Sequence, residues 1–398
     1  MIRVEMLATG DEVLHGQIVD TNAAWLANSL FENGLPMTRR ATVGDNIDEL
    51  VRILTERSKV ADVLIVNGGL GPTSDDLSSL AAAKAAGVEL VMQHEWLARM
   101  TAFFAARGRK MAESNRKQAE IPAGAEMLDN PVGTACGFAM TLNRCWIFFT
   151  PGVPSEFKVM VEEQIIPRLK ARYTQKDPLL CLRMTTFGRG ESDLAAEIEP
   201  LPMPEGVVMG YRASMPVIEL KLFGPSSKLA EMQQVWRQVR EIAGESVIFE
   251  GSEGLPEQLA RRLQERGASL AISEQFTAGL LQWQLASVAA PLKAGEVLPS
   301  QHEMLAALIQ RAQQLAASSQ ATLSLVVGGM EDQHIGLALY TPQGSWGVKV
   351  KFNNTRHGLK ARQDVVAMMA LDMLRRWLNG MAVASGHGWI DVVETLRG

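Results

Sequence analysis

The chain is poor in the residues that build disulfide frameworks and soft metal sites. It has three cysteines, Cys136, Cys145 and Cys181, and six histidines in 398 residues. The cysteines lie far apart with no CxxC pair, which excludes a disulfide scaffold and argues against a structural zinc site. Sparse thiols fit a reducing, cytoplasmic setting. No apolar run approaches the roughly 20 residues of a membrane-spanning helix. The first residues, Met-Ile-Arg-Val-Glu-Met, enter a strand at once and lack the layout of a signal peptide. A net charge of −5 gives no general attraction to nucleic acid or acidic membranes. The basic residues are scattered, and Arg375-Arg376 is expected to be solvated on a helix. There is no internal repeat, low-complexity tract or coiled coil.

What is present is a soluble-type composition, 47% hydrophobic and 21% charged, in a chain long enough for two or three cores. The organising stretch is Asn67-Gly68-Gly69-Leu70-Gly71-Pro72-Thr73-Ser74-Asp75-Asp76. It follows the apolar run from Ala61 to Val66, expected to be a buried strand, and precedes an Ala-rich helix from Leu77 to Ala86. Glycines let this backbone approach a ligand, and amides ahead of a helix make an anion cradle. Asp75 and Asp76 suit a hard divalent cation bridging to phosphate oxygens. The plain alternative is a turn in which Ser74 or Asp75 only caps the helix.

Upstream, Val4 to Gly10 is a strand and its exit, followed by Asp11, Glu12 and Asp20-Thr21-Asn22. A helix with Trp25, Leu26, Leu30 and Phe31 on one face ends at Gly34. A strand from Thr38 to Val43 and a helix from Asp45 to Ser58 follow. The βαβαβα order predicts a parallel sheet wrapped by helices, with ligands at the carboxyl ends of its strands. Thr9, Gly10, Asn22, Gly68, Gly69, Gly71, Thr73 and Ser74 therefore gather at one edge. Two more loops, Asn130 to Gly137 (with Gly133 and Thr134) and Thr150-Pro151-Gly152-Val-Pro-Ser155, belong to the same domain. Ser155 is the expected cap of a long helix from Glu156 to Tyr173. The domain boundaries are 1–172, 178–250 and 254–398, with a linker at Gln175-Lys-Asp-Pro178 and a small α+β module in the middle.

These motifs together resemble the CinA family (competence/damage-inducible protein A) over essentially the whole chain. The first domain is similar to molybdopterin-binding domains. The resemblance implies metal-dependent ADP-ribose pyrophosphatase chemistry there, with Mg²⁺, Mn²⁺ or Co²⁺, and a homodimer. Under it, Asp75, Asp76 and Asp11 are the catalytic candidates. Asp75, Asp76 and Asp20 are the metal candidates. The loop residues above, with Asn130, Gly133, Thr134, Pro151 and Gly152, hold a nucleotide. A non-catalytic nucleotide- or pterin-binding module is the alternative.

The last third resembles a nicotinamide mononucleotide (NMN) deamidase domain with its chemistry removed. Active relatives carry Glu-Ser-Cys-Thr-Gly-Gly with a nucleophilic Ser; this chain has Glu274-Gln275-Phe276-Thr277-Ala278-Gly279. An amide cannot become an attacking alkoxide. Pro299 replaces a Tyr and Met304 the general-base Lys. The phosphate loop is shortened to Gly328-Gly-Met-Glu-Asp332, whose acidic pair repels phosphate. Ser273 and Ser300 are conceivable substitute nucleophiles, with His302 close by. The expectation is a working first domain beside a dead deamidase; an active NMN deamidase is the third reading.

Overall fold

A computed structural model describes residues 2–173, 177–353, 357–386, 388 and 390–398. Gln175 and Lys176 of the expected linker lie outside the described residues. The chain divides into two compact units, residues 1–179 and 180–398.

The first unit contains β1 (Val4–Thr9), β2 (Met37–Val43), β3 (Val63–Asn67), β4 (Leu90–Met92), β5 (Glu120–Pro122), β6 (Glu126–Leu128), β7 (Gly137–Leu142) and β8 (Cys145–Thr150). Its main sheet has the order β2-β1-β3-β8-β7-β6; β4 and β5 form a separate pair. The β2, β1, β3 and β8 strands run parallel, while β7 and β6 are antiparallel additions. Adjacent residues of the central strands enter opposite cores: Leu7, Val66 and Phe149 on one face, Met6, Ile65 and Phe148 on the other. Such double burial is why these strands are continuous apolar runs. Each of these side chains contributes about 1.5–3 kcal/mol of burial.

Helices Thr21–Glu32, Ile47–Ser58 and Ser78–Ala86 cover the sheet. The second starts at Ile47, two residues later than the expected Asp45, and Asn46 caps it, accepting from the Asp48 and Glu49 amides at 3.0 and 3.1 Å. The expected cap at Ser155 is not made. That helix begins at Pro154 after the N-cap Val153, because proline's fixed φ suits the first helical position. It runs Pro154–Met160, then widens into a π turn over Val161–Ile165, and resumes as Ile166–Arg172. Pro167 explains the interruption: it has no N–H, and its ring crowds the carbonyl four residues back.

The second unit holds two sheets. The first is β10-β11-β9-β12, from β9 (Leu179–Phe187), β10 (Val208–Ser214), β11 (Val217–Pro225) and β12 (Val247–Glu250). The second is β14-β13-β15-β16-β17-β18, from β13 (Leu270–Glu274), β14 (Leu292–Val297), β15 (Leu323–Glu331), β16 (His334–Thr341), β17 (Gly344–Phe352) and β18 (Ile390–Arg397). Helix Leu359–Leu378 supplies much of its core. Arg375 and Arg376 are not solvated as expected: they are 5% and 4% exposed. Arg375 donates to Asp372, Val247 O and Glu245 O, and Arg376 to Glu245, which ties the helix to the β12 region. Among the described residues, no helix is long and apolar enough to cross a membrane.

Candidate functional site

Three strand exits meet at the carboxyl edge of the first sheet. From Asn22, Nδ2 donates to Asn67 Oδ1 at 3.0 Å and to Gly152 O at 2.8 Å. Asn67 Nδ2 donates to Pro151 O at 2.7 Å, and Gly68 N to Thr150 O at 2.9 Å. A chain of amides thus joins the β1–helix connection, the glycine loop and the β8 exit. Backbone carbonyls at Pro151 and Gly152 fix the orientation of both amides, since a carbonyl only accepts. Gly68 has φ +110°, and a Cβ there would lie 2.7 Å from Thr9 Oγ1, so only glycine fits.

The loop does not act as a side-chain cap. Helix Ser78–Ala86 starts after Leu77 with no capping side chain, so neither Ser74 nor Asp75 plays that role. Ser78 instead turns back, its Oγ donating to Gly68 O at 2.7 Å and its amide to Gly69 O at 3.0 Å. Asp76 accepts from the Thr73 amide at 2.8 Å and from its hydroxyl, bracing the turn. Lys117 donates to Thr73 O and Gln118 to Leu70 O at 3.4 Å, holding the loop from outside.

The resulting cavity is about 350 Å³. Thr9, Gly10, Asn22, Gly68, Gly69, Gly71, Gly152, Asp20, Asp75 and Asp76 line it, as the sequence suggested. Thr73, Ser74 and Pro151 do not line it; Thr73 bonds Asp76 and Pro151 O accepts from Asn67, both of which do. Five carboxylates line it, from Glu12, Asp20, Asp45, Asp75 and Asp76, and no lysine or arginine does. Glu12 and Asp45 were missed as site residues, because nothing in the local pattern at Asp45 distinguishes it from a helix-start acid.

Asp11 does not line the cavity. It is clasped to Asp45: each amide donates to the other's carboxylate, at 3.1 and 3.2 Å. Asp20 spends Oδ1 on capping helix Thr21–Glu32 through Ala23 N at 2.9 Å. Asn130, Gly133 and Thr134 also stand off the cavity. Asn130 bonds Ala135 O and Glu156, Gly133 N bonds Asn130, and Thr134 bonds Gln118.

Burial pushes the Asp45 carboxyl up, and the negative charges of Asp11, Glu12 and Asp75 add to it, against the Asp11 amide. The nearby Thr73 side chain, then the Asp75 amide and the Lys117 charge, hold Asp75 below the usual carboxylate range, while the Thr73 hydroxyl bond itself goes to Asp76. Two buried acceptors on the cavity walls, Thr9 Oγ1 and Asn22 Oδ1, have no hydrogen-bond partner among the described residues. Among the described residues, no group of three His, Cys, Asp or Glu side chains stands close enough to form a ready metal shell.

In the second unit, Gln275 is 4% exposed and fills its own surroundings. Its Nε2 donates to Glu303 at 2.5 Å and its Oε1 accepts from Gln301 N at 3.2 Å. Glu303 pairs with Arg311 at 3.0 Å, and burial lowers the Arg311 pKa. Pro299 is exposed and Met304 is 65% exposed, and neither a proline ring nor a thioether serves as a proton acceptor. Ser273 is fully buried with an unpartnered hydroxyl, and His302 pairs with Glu331 rather than with Ser300. Gly328 to Glu331 is no shortened loop: it lies in β15, paired with β16, and the turn falls at Asp332 and Gln333. Sequence reasoning missed Glu303, which becomes a partner of Gln275 only through the fold, and Arg311, which pairs with Glu303.

Residues 5–171 match the family model of a probable molybdopterin binding domain. Over 396 residues the chain is 61% identical to a CinA-like protein of Escherichia coli O9:H4 (strain HS), covering 100% of this chain and 99% of that one. Identity and coverage are the same for a protein of Escherichia coli (strain K12) described as NMN amidohydrolase-like protein YfaY. Among solved structures, CinA of Thermoplasma acidophilum is 29% identical with a TM-score of 0.38, over 43% of this chain and 96% of that one. Identity of 61% along the full length, over a chain whose glycine loop and flanking strand exits converge on one cavity, makes this protein a member of the CinA-like family.

Proposed function

We propose that the first unit is a divalent-cation-dependent hydrolase of a nucleotide pyrophosphate such as ADP-ribose, and that the deamidase-like region of the second unit does not turn over NMN. The observation that carries the first half is the lining of the cavity: five carboxylates and no cationic side chain. A bare pyrophosphate would be repelled there, and a hard cation reverses that sign. The all-oxygen donors suit such an ion, and Asp75, Asp76 and Asp20 are its proposed ligands. When bound, the ion supplies charge neutralisation and a more acidic water.

The protein's own residues do the rest. The Gly68 and Thr73 amides are bonded within the protein, so the Gly69 and Gly71 amides are the ones proposed for phosphate oxygens. Asn22 Oδ1, whose amide orientation is fixed, accepts only a donor, which suits a ligand hydroxyl or N–H. Thr9 offers a hydroxyl beside Gly68. For the second half, Gln275 stands where the nucleophile is needed, its amide already bonded to Glu303 and Gln301.

One observation favours a non-catalytic nucleotide- or pterin-binding module instead: the carboxylates are not gathered into a ready shell among the described residues. Calorimetric titration of the stripped protein with Mn²⁺ alone tests the cation site. The proposal expects binding that Asp75→Asn weakens at least about tenfold, the scale of one lost charged ligand. Absence of Mn²⁺ binding, or binding indifferent to Asp75→Asn, would overturn the assignment.

A further inference from the structure

The second unit contains a cavity of opposite character. It measures about 310 Å³, at the lower end of the roughly 300–1,000 Å³ of small-molecule sites. It lies between β12, helix Leu255–Glu265 and the end of helix Leu359–Leu378. Four arginines line it, Arg240, Arg261, Arg262 and Arg375, against one carboxylate, Glu250.

The charges are not equally compensated. Arg240 pairs with Glu250, Arg261 with Glu253, and the buried Arg375 with Asp372. Arg262 has no carboxylate within ion-pair distance among the described residues. It donates to Leu378 O at 2.9 Å, and Arg266 donates to the same oxygen at 3.1 Å. Burial and then the Arg266 charge push the Arg262 pKa down, the signature of a cation short of negative charge. Helix Leu255–Glu265 begins at the cavity, with Leu255 and Gln258 on its wall, and its N-cap, Gly254, brings no side chain. Pro256 in that first turn has no N–H and Glu257 stands beside it, so the arginines carry the positive charge of the cavity.

We propose that this cavity is a second small-molecule site, taking a phosphate-bearing anion with Arg262 as its principal contact. Guanidinium forks match phosphate oxygens in pairs, and Arg375, fixed by two backbone carbonyls, is held rigid beside it. The site needs no metal ion, which separates it experimentally from the acidic cavity of the first unit.

The test is calorimetric titration of the full-length protein with inorganic pyrophosphate, in EDTA and at low salt. The expected result is saturable binding that Arg262→Gln weakens about tenfold and Asp75→Asn leaves unchanged. Because Arg262 also holds the end of a helix, Arg240→Gln and Arg261→Gln, with side chains about half exposed, are run beside it. Each should weaken binding about threefold and keep the wild-type melting temperature within a degree or two. No saturable heat, or equal affinity in all three arginine variants, overturns the proposal.

Discussion

The Asn22 amide donates to Asn67 Oδ1 at 3.0 Å across 45 residues of chain, and this bond joins the start of helix Thr21–Glu32 to the end of β3 on the cavity wall. Both side chains are about 5% exposed, so water does not substitute for the contact. Asn22→Leu keeps the shape and strips Asn67 Oδ1 and Gly152 O of a buried donor. The expected loss is about 1–3 kcal/mol of unfolding free energy, read by urea denaturation. Asn22→Asp should be worse, since a carboxylate cannot donate and adds a sixth negative charge to the cavity wall. A loss under about 0.5 kcal/mol for both would mean that the amide chain does not organise the edge.

Asp45 gives a pH signature. Its carboxyl is raised on folding, chiefly by burial and then by the acids around it. A raised carboxyl binds its proton more tightly in the folded state. The stability it lends is therefore complete below the ordinary carboxyl range and is lost as pH rises through the raised value. Asp45→Asn, which keeps an acceptor for the Asp11 amide, should melt higher than wild type at pH 7. The gap should close on acidification below the ordinary carboxyl range. A melting curve for Asp45→Asn that falls below wild type at neutral pH would contradict this.

Ion pairs on the same helix should differ sharply in worth. Arg57 forks onto Glu5, with Nε to Oε2 at 2.7 Å and the carboxylate only 6% exposed. Arg57→Met leaves a buried carboxylate without its partner, at an expected cost of about 3–5 kcal/mol. Arg52 meets Glu49 and Glu56 with all three side chains about half exposed, and Arg52→Met should leave stability nearly unchanged. Chemical denaturation of the two variants side by side checks the ratio.

The parallel sheet was legible because β1, β3 and β8 are short apolar runs followed by glycine-bearing polar turns. The convergence of Asn22, Gly68 and Gly152 was legible for the same reason: strand exits of a parallel sheet share an edge. What was not legible depended on contacts distant in sequence. Asp45 belongs to the site through its clasp with Asp11, 34 residues away. Asn130 and Thr134 follow the glycine pattern, yet they brace Glu156 and Gln118 instead of facing the cavity. Arg375 and Arg376 look like a surface pair in sequence, but their helix packs against the β12 region, which supplies carbonyls and Glu245. The β18 strand, with most of its residues exposed, carries too little apolar alternation to announce itself.

The central claim, a cation-dependent pyrophosphate hydrolase beside a silent deamidase-like region, is tested most directly by product chromatography. Metal-stripped protein is supplied with ADP-ribose and NMN in parallel, with and without Mg²⁺, Mn²⁺ or Co²⁺, and Asp75→Asn serves as the control. The account predicts AMP only when a cation is present, loss of that product in Asp75→Asn, and no nicotinic acid mononucleotide under any condition. Intact ADP-ribose with every cation would contradict the hydrolase and leave a binding module. Conversion of NMN would contradict the reading of Gln275, Pro299 and Met304.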